Sequence, residues 1–153
     1  RTIAVLQLIM ALGLILFWVG FFTVGMAPEN PPPCYFAYEH AFPVPDIIMA
    51  LALIVSSVML FKGNPLGKAI SLVCAGSLFF LGVLDMCFNY QNGVYAASTM
   101  DLVSNLFINI ACVVLGLIIV RGFKNGFHNG TQFDIDFFST PIGHAGILAH
   151  FKL

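Results

Sequence analysis

Four long apolar runs, at about residues 2–26, 44–62, 67–90 and 99–120, constrain this chain more than any other feature. Each approaches the length an α-helix needs to cross a hydrocarbon layer about 30 Å thick. In lipid every backbone N–H and C=O must be satisfied within the segment, so runs of this kind are expected to be helices. The second is slightly short if it starts at Asp46, and so it is taken to include Val44 and Pro45. The composition agrees: 59% of the residues are apolar and only 8% are charged, too few to coat a water-soluble surface. The expected fold is therefore an all-α integral membrane protein: a four-transmembrane-helix antiparallel bundle over 1–124, with a proline-rich outer loop and an ordered cytoplasmic C-terminal tail over 125–153.

A cleaved signal peptide is the competing reading of the first run. That run is too long for a signal h-region and lacks a suitably placed A-x-A site, so it reads as a span. The chain begins at Arg1 rather than Met, so some preceding residues are expected to be missing.

Lysines and arginines set the expected orientation. With four spans, Arg1, Lys62, Lys68, Arg121 and Lys124 all fall on one side, which the positive-inside rule makes cytoplasmic. Both termini are then inside, in what is expected to be a prokaryotic cytoplasmic membrane. The outer side holds Glu29, Glu39, Asp46, Asp85 and Asp101, with His40 the one candidate cation. The segment Ala27–Pro45 is dense in proline, which argues for a stiff, extended, non-helical path. Its aromatics Tyr35, Phe36, Tyr38 and Phe42 suit a membrane interface, and the segment is expected to lie over the bundle as a lid carrying Glu39, His40 and Asp46.

The acids and amides of residues 81–109 are not scattered. At about 100° per residue, Asp85, Asn89 and Asn92 fall within roughly 60° of each other, beside Gly82. After the breaker Asn92-Gly93, Asp101, Asn105, Asn109 and Cys112 share an arc of roughly 80°. Two polar stripes on consecutive antiparallel helices should face each other, since lipid would leave them unsatisfied. One reading is structural: the amides join the two helices, and Asp46 and Asp101 cap helix starts. The other is a polar cavity between the third and fourth spans, open to the outside, in which Asp85, Asn89, Asn92, Asp101, Asn105 and Asn109 bind a cation, a proton or a small polar ligand.

Other chemistries find little support. Cys34 and Cys87 both fall near the outer face and could form a disulfide, but the four cysteines show no CxxC and no metal-ligand spacing. His128, His144 and His150 have no ligand spacing, and the spans contain no histidine to bind haem, so no metal or cofactor is expected. A net charge of −1 argues against nucleic acid as a partner. In the tail, Phe133, Ile135 and Phe137 alternate with Asp134 and Asp136 in a strand-like period, and Asn129-Gly130-Thr131 matches a glycosylation sequon that would be inert on the cytoplasmic side. An ordered tail of this composition needs something to hold it. The expected partners are therefore the lipid bilayer and other membrane subunits on the tail, and the first functional expectation is a non-catalytic subunit or scaffold of a membrane complex. The ligand- or cation-binding protein is the second, and an enzyme using Asp85 or Asp101 as acid or base on a lipid-like substrate is the third.

Overall fold

The computed structural model describes residues 1–28 and 30–128, with side chains as far as residue 124. The elements are α1 (Thr2–Val24), a short α2 (Tyr35–Glu39), α3 (Pro43–Phe61), α4 (Leu66–Gln91), a 3-10 turn (Val94–Ala96) and α5 (Thr99–His128). Four helical stretches are long and apolar enough to cross a membrane. Residues Arg1–Gly122 form one compact unit, which carries everything that follows. Glu29, the strand-like stretch 133–137, the sequon at Asn129, His144, His150 and the ordered tail with its partner contacts all lie outside the described residues.

The helices begin and end where the backbone's free donors and acceptors find substitutes. Asn64 closes the turn before α4 by accepting the Leu66 N–H at 2.9 Å. At the end of α4 the Asn92 side chain donates to Phe88 O at 2.9 Å, and Gly93 takes φ 72°, so the helix stops at the expected Asn-Gly pair. Ser98 Oγ accepts the Asp101 N–H at 3.0 Å and donates to Asp101 Oδ2 at 2.6 Å, a reciprocal cap that fixes the first turn of α5.

The loop expected to be extended contains a helix instead. Pro28 and Pro31 to Pro33 end before Cys34, and Pro43 and Pro45 fall in the first turn of α3, where a missing N–H leaves no intrahelical bond unmade. The proline-free stretch between them, Tyr35–Glu39, is free to close a helical turn. Asp46 is consequently one turn inside α3, and its own N–H bonds back to Phe42 O at 2.9 Å.

The bundle is apolar outside and partly polar inside. Ile9, Leu16, Phe22, Ile48, Phe80 and Phe107 are among its exposed side chains, whereas Gln7, Asp46, Ser56, Ser57, Ser71, Asn89 and Asn109 are buried. Small residues set the helix spacing, with Ala4, Ala11 and Ala50 fully buried. Ser57 Oγ lies 2.9 Å from Ala4 O and Trp18 Nε1 lies 2.9 Å from Asp46 Oδ2, so α1 and α3 run antiparallel. Toward the end that carries Arg1, Lys62 and Lys68, Ser56 Oγ sits 2.9 Å from Gly67 O and 2.6 Å from Ser71 Oγ, tying α3 to α4. Gln7 Oε1 accepts from Ser56 and Ser57 at 3.3 and 3.4 Å, while its Nε2 is buried without a partner.

Helices α4 and α5 meet through glycine. A Cβ on Gly82 would lie 2.6 Å from Asn109 O, and one on Gly116 would lie 2.7 Å from Ala75 O. No other residue permits backbones this close, so α4 and α5 are in contact at these two levels.

Candidate functional site

A cleft of about 600 Å³ runs between α1 and α5. Leu6, Met10 and Gly13 of α1 face Ala111, Leu115 and Ile118 of α5 along it. Ile9, Leu16, Phe107 and Val114 also line it and are themselves exposed, so it opens sideways onto the apolar exterior. Leu81 and Asp85 of the third span line it together with Asn105 and Asn109 of the fourth, so these polar residues border a cleft whose other wall is α1.

At one end the cleft reaches Glu39, Asp46, Asp85, Asn105 and Asn109. Each acid comes from a different helix. Asp46, at 6% exposure, is held by the Trp18 indole at 2.9 Å. The phenol of Tyr38, on α2, donates to Asp85 Oδ1 at 2.7 Å, while its ring stacks on Phe88 with centroids 3.6 Å apart and planes 2° from parallel. Asn105 Nδ2 donates to Asp101 O at 2.8 Å, and the buried Asn109 donates to Tyr95 Oη at 3.1 Å. Trp18, Phe21, Tyr35 and Val94 form a buried cluster beneath the lid, flanked by Phe17, Phe42 and Phe88.

The rest of the sequence-derived set does structural work or stands apart. Asp101 is taken up in the reciprocal cap with Ser98. Asn89 is buried in α4 without lining the cleft. Asn92 caps α4 and accepts from Cys34 Sγ at 3.3 Å. His40 is exposed and stacks on Phe22 with centroids 6.1 Å apart. Cys34, Cys74, Cys87 and Cys112 are all free thiols, and the lid is tied to α4 by the Cys34–Asn92 and Tyr38–Asp85 hydrogen bonds rather than by a disulfide.

Comparison with protein-family models, curated proteins and solved structures found no match. The site has to be read from its own chemistry.

The basic residues of Arg1–Gly122 cap the far ends of the helices: Arg1 precedes α1, Lys62 ends α3, Lys68 opens α4 and Arg121 lies late in α5. Asp85 is 17 residues along α4 from Lys68, roughly 25 Å at 1.5 Å per residue. The side-chain donors to Asp46 and Asp85 are neutral, an indole and a phenol. Among the described residues, no three of His, Cys, Asp and Glu stand close enough to share a metal ion. The arrangement offers three carboxyl groups spread around the end of an apolar slot, which suits a large polar group better than a small chelated ion.

Trp18, Tyr38 and Tyr95 join the site through partners fixed by the tertiary fold, which no spacing in the sequence reveals. The one usable signal was chemical: each carries a single polar hydrogen on a ring, near the end of the chain's helices where the acids gather.

Proposed function

We propose that this protein is a small integral membrane protein that binds an amphipathic small molecule, taken laterally from the bilayer into the cleft between α1 and α5. The polar end of the ligand sits at Glu39, Asp46 and Asp85, and its apolar body lies along Leu6, Met10, Gly13, Ala111 and Leu115. The observation that carries this reading is the shape of the cleft: it opens on an apolar exterior and ends at the buried Asp46 and the half-buried Glu39 and Asp85. Ligand sites are concave, mostly apolar and oriented by a few polar groups, and this one fits that description. A four-span bundle supports membrane embedding, and the grouping of lysine and arginine away from the lid supports cytoplasmic termini with the lid outside.

This reading is preferred to a scaffold, whose main support was the tail beyond the described residues. It is preferred to an enzyme that uses Asp101 as acid or base because that side chain is committed to a helix cap.

The test uses the protein's single tryptophan, which is 4% exposed yet lines the cleft. In vesicles of phospholipid with brominated acyl chains, an open cleft admits chains to Trp18 and its emission is quenched. A Gly13→Leu variant, with the slot filled, should keep its emission. Unquenched wild-type protein would show a sealed bundle and remove the proposal.

A further inference from the structure

We infer that the molecule this cleft takes is a lipophilic organic cation, a protonated or quaternary amine on an apolar body. The inference rests on the lateral-binding reading above and adds the charge of the ligand's head.

Charge complementarity is the first argument. Glu39, Asp46 and Asp85 come from three helices to one end of the cleft, and the lysines and arginines of Arg1–Gly122 lie at the opposite ends of theirs. A carboxylate at membrane depth is costly unless it is paired, hydrated or protonated, and the cost falls when a cation arrives from outside the chain. His40, the nearest candidate cation in sequence, is turned to Phe21 and Phe22 instead.

The second argument is the kind of cation. The acids are too far apart for three of them to close around one metal ion. Small inorganic ions ask for several oxygen ligands at short range, and a diffuse ammonium does not. Phe17, Trp18 and Phe42 line the same end, and aromatic faces attract organic ammonium groups through the ring quadrupole. The remaining wall, from Leu6 through Met10 and Gly13 on one side and from Ala111 through Ile118 on the other, is apolar and supplies room for a chain or ring system.

The third argument excludes the most abundant alternative. A phospholipid carries a phosphate between its chains and any ammonium on its head, and that phosphate would lie against the three carboxyl groups, so the cleft favours a free hydrophobic amine over a bilayer lipid. Acyl chains then occupy the slot only while the amine is absent.

Displacement of brominated chains tests this directly. Wild-type protein in brominated phospholipid vesicles is titrated with dodecyltrimethylammonium, with its neutral isostere in which a tert-butyl group replaces the ammonium head, and with dodecyl sulfate. Trp18 emission reports displacement at a stated mole fraction in the membrane. The cation should restore emission at a mole fraction at least tenfold lower than the isostere, and dodecyl sulfate should be the weakest of the three. Asp46→Asn and Asp85→Asn keep an acceptor for Trp18 and Tyr38, and each should shrink the preference for the cation while unchanged helical circular dichroism shows that the bundle is intact. Equal displacement by cation and isostere, or a better result for the sulfate, overturns the cation assignment and leaves the cleft standing. Absence of quenching before any addition overturns the cleft itself, so the two failures are distinct.

Discussion

Replacing Gly13 with leucine, and separately Gly82 with leucine, sets one chemical change in two opposite environments. A Cβ on Gly13 meets nothing within 4 Å, because the residue faces the cleft. The substitution then carries no steric cost, and removing glycine from a helix interior contributes up to about 1 kcal/mol of stability. A Cβ on Gly82 lies 2.6 Å from Asn109 O and 2.8 Å from Val113 Cγ2, so α4 and α5 must separate. Overpacking of that kind costs about 1–3 kcal/mol, and more where backbone has to move. The two variants should therefore differ by roughly 1–4 kcal/mol on these terms. Reversible unfolding in mixed micelles, followed by circular dichroism, reads the difference. Gly13→Leu should unfold at or above the wild-type midpoint and lose chain quenching at Trp18, and Gly82→Leu should unfold well below it. A Gly13→Leu protein destabilised by more than about 1 kcal/mol would mean that α5 packs on α1 at this level, and the reasoning from the cleft would fail.

Other consequences follow from single contacts. Tyr38→Phe keeps the stack on Phe88 but removes the hydrogen bond to Asp85, and should cost about 1.5–3 kcal/mol and speed maleimide labelling of Cys34 in the lid; unchanged labelling would separate the lid from Asp85. Gln7→Met removes a buried, partnerless N–H while Ser56 and Ser57 keep the carbonyls of Gly67 and Leu53, so stability should rise by about 1 kcal/mol, and a loss would show that the amide holds the knot together. Ser98→Ala breaks the reciprocal cap with Asp101 and should lower stability by about 1 kcal/mol without altering Trp18 quenching.

The bundle was legible because its signals are local. Length and apolarity of four runs, a proline before α4 and an Asn-Gly pair after it are properties of short stretches, and helices appear there. The helical turn of the lid was not legible, because the density of proline in the whole loop hid the one stretch without it, Tyr35–Glu39. The site was half legible. Arc arithmetic on α4 and α5 picked out Asp85, Asn105 and Asn109, and all three line one cleft. The same arithmetic placed Asp101 with them, although its side chain serves the cap on Ser98. How near α4 comes to α5 is set where Gly82 and Gly116 meet carbonyls across the seam, and no spacing within either helix reveals that pairing. The partners of the acids are 28 and 47 residues away in sequence, for Trp18–Asp46 and Tyr38–Asp85, and no periodicity connects such positions.

The most direct measurement is an experimental density map of the protein in a lipid environment, inspected between α1 and α5. Elongated density running past Met10 and Gly13 and ending beside Asp46 and Asp85 is the predicted result. Side chains of α5 in contact with α1 along that whole line, with no space between them, would contradict it.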